Sequence, residues 1–62
     1  MTYFKIISPN NNCSVRAITE RVALMIGQEM ANLSNDLVVV YKQHIDRSIC
    51  WTSIMPDNTF AL

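Results

Sequence analysis

With 62 residues, half of them hydrophobic and only 16% charged, the chain can form one domain at most, and a domain near ~60 residues buries only about 60% of the surface its unfolded chain exposes. Its five basic side chains (Lys5, Arg16, Arg21, Lys42 and Arg47) are scattered along the sequence and balanced by five acids, which argues against a nucleic-acid partner. No apolar run reaches the length of a membrane span, and the start lacks the charged-then-apolar order of a signal peptide, so no membrane contact and a cytoplasmic setting are expected.

Residues 3–8, Tyr-Phe-Lys-Ile-Ile-Ser, are aromatic and β-branched and stop at Pro9, which predicts a first strand. Asn10, Asn11 and Asn12 predict a turn, because asparagine tolerates the left-handed region and bonds its own backbone. Ser14 is read as the N-cap of a helix over 15–33. Along it Val15, Ile18, Val22, Met25, Ile26, Met30 and Leu33 recur at spacings of three and four, the mark of a core-facing stripe. Arg16, Thr19, Glu20, Gln28 and Glu29 would line the other face. Gly27 costs ~1 kcal/mol relative to alanine inside a helix, so a close packing contact is expected there. Asn32, Ser34, Asn35 and Asp36 end the helix.

Residues 37–41, Leu-Val-Val-Val-Tyr, predict a strand buried on both faces in the middle of a sheet. Residues 44–47 form a polar link, and 49–55, Ile-Cys-Trp-Thr-Ser-Ile-Met, predict a third strand halted by Pro56. Strand, helix and strand in succession imply a right-handed crossover, and the short link implies a hairpin. The expected fold class is α/β (α+β): a single β-α-β-β unit over residues 1–62, with a parallel strand pair, a crossover helix and a C-terminal β-hairpin. So much apolar surface on so small a unit calls for an oligomer, with the tail 57–62, ending Thr-Phe-Ala-Leu, as an arm on a neighbour.

In length and element order the chain resembles the 4-oxalocrotonate tautomerase family. The resemblance is carried by residues 3–8 as first strand, 15–33 as helix, 37–41 as second strand, and Cys50-Trp51-Thr52-Ser53-Ile54 as an aromatic-plus-small-residue hairpin. It implies a hexamer of small subunits, keto–enol isomerase chemistry and a small carboxylate substrate. The family's base is an amino-terminal proline, a secondary amine neutral at working pH in an apolar pocket, with arginines holding the substrate carboxylates. Here Thr2 follows Met1, the turn reads Pro9-Asn10-Asn11-Asn12 and Val38-Val39 replaces a further arginine. What the resemblance implies is a divergent subunit with lost or altered isomerase activity, or a non-catalytic partner in a mixed hexamer.

Met1 and Thr2 are the candidates for the amino-terminal catalytic position, a primary amine in place of the proline; an ordinary chain start is the simpler reading. Arg16, placed on the first helical turn, and Trp51 are the candidates for a substrate pocket. Tryptophan serves equally as an interface anchor, and Arg16 as a solvated surface residue. His44, Asp46 and Arg47 share the hairpin link, where polar residues collect anyway. Cys50 is expected to be a buried small side chain rather than a nucleophile, and Cys13 and Cys50 to be free thiols. No metal site can be assembled from His44, the cysteines and the scattered acids. The single glycine excludes a phosphate-cradling loop, so no cofactor is expected. The alternative to a tautomerase-like subunit is a small non-enzymatic protein-binding module, acting through an exposed sheet face or the apolar tail.

Overall fold

A computed structural model describes residues 2–57. The first strand forms where the sequence places it, β1 at Tyr3–Ser8. Pro9–Asn11 then make a single 3-10 turn, with proline at its start and Asn12 closing it at φ 51°. A left-handed residue is the usual way to reverse a chain tightly, and asparagine bears it better than most side chains. The reversal sends Cys13–Ala17 back along β1 as a second strand, β2, with Phe4 opposite Ala17, Ile6 opposite Val15 and Ser8 opposite Cys13.

This strand overturns the expected β-α-β-β order. Residues 13–17 alternate apolar and polar, the period of a half-buried strand, although Ser14 as a cap followed by Val15 and Ile18 fits a helix start equally well. The helix, α1, is Glu20–Ser34, and its N-cap is Thr19 rather than Ser14. The Thr19 side chain accepts from Val22 N at 3.2 Å, satisfying one of the free donors of the first turn. Asn35 ends the helix in the left-handed region at φ 54°, its N–H bonded to Ala31 O.

One extra strand before the helix adds one reversal of direction, and that flips the parity of everything after it. Strand β3, Val38–Gln43, therefore lies antiparallel to β1, not parallel. Strand β4, Ser48–Ile54, returns antiparallel to β3. The result is a four-stranded antiparallel sheet in the order β2-β1-β3-β4, with α1 packed across one face. No two neighbouring strands run parallel among the described residues; β2 and β3, both antiparallel to β1, share a direction but are separated by it, and α1 joins them across β1.

The core lies between helix and sheet: Phe4, Ile6, Ala17, Val38, Val40 and Ile54 from the strands, Ala23 and Ala31 from the helix. The helix meets the sheet through Ala23, Gly27 and Ala31, not through the expected large apolar stripe. Ile26 and Met30 pack at the margin, whereas Val22, Met25 and Leu33 are exposed and Ile18 lies outside the helix altogether. Small residues at every fourth position let the helix sit close to the strands. At Gly27 an added Cβ would stand 2.5 Å from Ile54 Cδ1, which accounts for a glycine inside a helix.

Strand β3 is central, as expected, but covered on one side only: Val38 and Val40 are fully buried, Val39 and Tyr41 half-buried. Residues 58–62, all but the first of the expected apolar arm over 57–62, lie outside the described residues. Among the described residues no helix is long and apolar enough to cross a membrane.

Candidate functional site: the uncovered sheet face

Because side chains alternate along a strand, the face turned away from the helix is set by the register. On β1 it carries Tyr3, Lys5 and Ile7; on β2, Ser14 and Arg16; on β3, Val39, Tyr41 and Gln43. Lys5 stands between Arg16 and Tyr41, Tyr3 opposite Gln43, and Ile7 between Ser14 and Val39. The Arg16 guanidinium carbon lies over the Tyr3 ring, 5.1 Å from its centroid, a cation–π arrangement. Toward the hairpin turn a hollow of about 210 Å³ opens, lined by Lys5, Ile7, Pro9, Asn12 and Ser14 among others.

The charges, balanced in number, are separated in space. Strands hold Lys5, Arg16 and Lys42 and no acid; Glu20 and Glu29 are on the helix, Asp36 and Asp46 in turns, and Asp57 beyond β4. Lys42 points to the helix side, with its ammonium 6.0 Å from the Phe4 ring centroid.

Arg16, expected on the first helical turn, is thus a strand residue on the outer face. Trp51 lies on the other side of the sheet. A bulge between Val40 and Tyr41 pairs Val40 with Thr52 and Tyr41 with Cys50, leaving Trp51 as the extra residue. Its ring meets Phe4 at 5.0 Å between centroids and 55° between planes. The structure therefore does not bring Arg16 and Trp51 together into one pocket. Thr2 is exposed ahead of β1, and Met1 lies outside the described residues.

His44 N donates to Arg47 O at 2.8 Å, closing the β3–β4 turn, and no group of acids, cysteines and histidine capable of holding a metal occurs among the described residues. Cys13 and Cys50 are free and both exposed, so the expectation of a buried Cys50 is corrected: it sits on the outer side of an edge strand. The two lie on opposite edges of the sheet and about three residues apart along it, so at ~4.8 Å per strand step they are more than about 14 Å apart, beyond the ~7 Å a disulfide spans.

A second hollow, of about 330 Å³, lies on the helix side between β2 and the end of the helix, lined by Ser8, Cys13, Met30, Leu33 and Ser34. Sequence reasoning missed the outer face because it missed β2; the alternation of residues 13–17 was the signal that could have found it. No family model, curated protein or solved structure gives a significant match to this chain.

Proposed function

We propose that this chain is a small non-enzymatic binding module of the cytoplasm whose working surface is the sheet face opposite the helix. The observation that carries it is the coverage of the sheet: one helix shields one face, and the other presents Tyr3, Ile7, Val39 and Tyr41 beside Lys5 and Arg16. Two exposed thiols suit a reducing compartment. The tautomerase-like reading drew on length and element order, already without the amino-terminal proline; with β1 antiparallel to β3, the element order no longer favours it.

The purified chain is expected to isomerise neither 2-hydroxymuconate nor phenylenolpyruvate above background; saturable turnover would overturn the reading. A surface kept for a partner should also contribute little to the stability of the isolated chain. Ile7→Thr and Val39→Thr keep the β-branch and should each shift urea stability by less than about 1 kcal/mol. Losses beyond about 2 kcal/mol would mark the face as packed core instead.

A second reading, self-association through the β2 edge, is favoured by a separate observation. Val22, Ile26, Met30 and Leu33 share one flank of the helix by periodicity, and that flank overhangs β2, where Met30 and Leu33 share a hollow with Cys13.

A further inference from the structure

We propose that the outer sheet face is a platform for single-stranded nucleic acid, with bases stacked on Tyr41 and on the Arg16–Tyr3 pair and phosphates held by Lys5 and Arg16. The proposal rests on reading that face as the working surface. Four observations converge on it. The strands carry cations and no acid, so a neutral chain presents a locally positive surface that a polyanion complements.

Both tyrosines stand on the central strands. Tyr41 is the diagonal neighbour of Tyr3, one step along from its partner Gln43, and such neighbours lie ~7–8 Å apart. That spacing lets two splayed bases each find a ring. Arg16 already stands over Tyr3 within cation–π range, and a guanidinium plane can stack on a base as an aromatic ring does. Finally, the hollow lined by Lys5, Asn12 and Ser14 continues the same face beyond Tyr41, giving a strand somewhere to run.

A duplex fits poorly, because its bases are stacked inward and a flat sheet face enters neither groove. An acidic peptide would use the cations but gain little from two rings at base spacing. Neither Tyr3 nor Tyr41 is stacked on another aromatic ring among the described residues.

The test is fluorescence anisotropy of labelled dT12 and U12 oligonucleotides with the full chain. With two phosphate contacts the affinity is expected to fall about sevenfold between 50 and 200 mM salt. Tyr41→Ala should weaken binding about fivefold or more while Tyr41→Phe stays within about twofold, since the ring and not the hydroxyl stacks. Lys5→Glu with Arg16→Glu should weaken it at least about tenfold. Circular dichroism confirms that each variant is folded. Any of three results overturns the proposal: no binding at 100 μM chain in 50 mM salt, binding indifferent to the ring and charge variants, or displacement by poly-glutamate as effective as by unlabelled oligonucleotide, which would assign the face to acidic protein. None of these touches the non-enzymatic reading, which the isomerase assay decides.

Discussion

Asp36 sits where the helix hands over to β3, and both of its carboxylate oxygens accept hydrogen bonds. Oδ2 accepts from Asn10 Nδ2, reaching across from the first hairpin turn, and Oδ1 accepts from Leu37 N at 2.7 Å. The Asn10 bond, with the Leu37 N–H second, holds the carboxyl below its ordinary value of 3.8. A group whose pKa is lowered by folding stabilises the fold above its unfolded value and stops doing so as pH falls through the folded one. Asp36→Asn keeps the shape but removes the charge, so it should be less stable than the parent at pH 7. The gap should begin to close near pH ~5 and vanish once Asp36 itself is protonated. Urea melts of both chains across pH 2–7 measure this, and a gap that stays constant with pH would refute the linkage.

The helix meets the sheet through Ala23, Gly27 and Ala31, and at Gly27 it comes close against the Ile54 side chain. Alanine at 27 would gain ~1 kcal/mol of helix propensity, but its Cβ would meet Ile54 Cδ1 at 2.5 Å. Gly27→Ala alone should therefore change stability by less than about 1 kcal/mol, the gain offset by the displaced methyl. Ile54→Val deletes that methyl and should cost about 0.5–1.5 kcal/mol in the parent. In the double variant the cost should shrink and the alanine gain appear, a positive coupling of about 1 kcal/mol in a double-mutant cycle; strict additivity would show that the two positions do not press on one another. The same contact explains what could be read at the level of elements. Strands at residues 3–8, 37–41 and 49–55 were legible because β-branched runs bounded by proline and polar turns have few other outcomes. The close approach at Gly27 was legible because a helical glycine needs a reason. The helix face was not, because Ala23, Gly27 and Ala31 carry little hydrophobic weight while the louder Val22, Ile26, Met30 and Leu33 follow the same period on a neighbouring flank. The missed β2 had the larger consequence: Val15 and Ile18 fit a helical stripe as well as Cys13, Val15 and Ala17 fit a strand, and only pairing with β1 decides between them. The candidate site went with it, since Arg16 changes face when residues 13–17 become a strand, and Trp51 is moved to the helix side by a bulge that no local pattern announces.

For the whole molecule, ~0.05–0.15 kcal/mol per residue puts the stability of a chain this size at roughly 3–9 kcal/mol. The large side chains buried completely are Ile6, Val38 and Val40, while Ile18 is 82% and Leu33 83% exposed. The two edges of the sheet are finished differently. Beside β4 the chain bulges at Trp51, and Gln28 and Asn32 tie the helix to Met55 O and Asp57 N with polar contacts at 2.9 and 2.6 Å. The β2 edge, Cys13–Ala17, has no bulge and no proline, so it keeps the open row of backbone groups that invites another strand. On the self-association reading, a second copy would meet this edge under a two-fold axis: antiparallel β2–β2 pairing would satisfy both ladders, and the flanks bearing Val22 and Leu33 would close over the junction. A chain with no formal net charge meets little long-range repulsion in doing so. Sedimentation at 10–100 μM is expected to give about twice the 7.1 kDa chain mass. Ile18→Glu with Leu33→Glu alters only side chains already in solvent, so it should leave the fold intact and return the mass to that of one chain. A parent that sediments as a single chain throughout this range would remove self-association and leave the outer face as the only proposed contact surface. If the pair forms, its two outer faces join into one surface with twice the cations. The salt dependence of oligonucleotide binding should then steepen from a slope near −1.4 toward about −2.8 as the chain associates, linking the two surfaces in one titration.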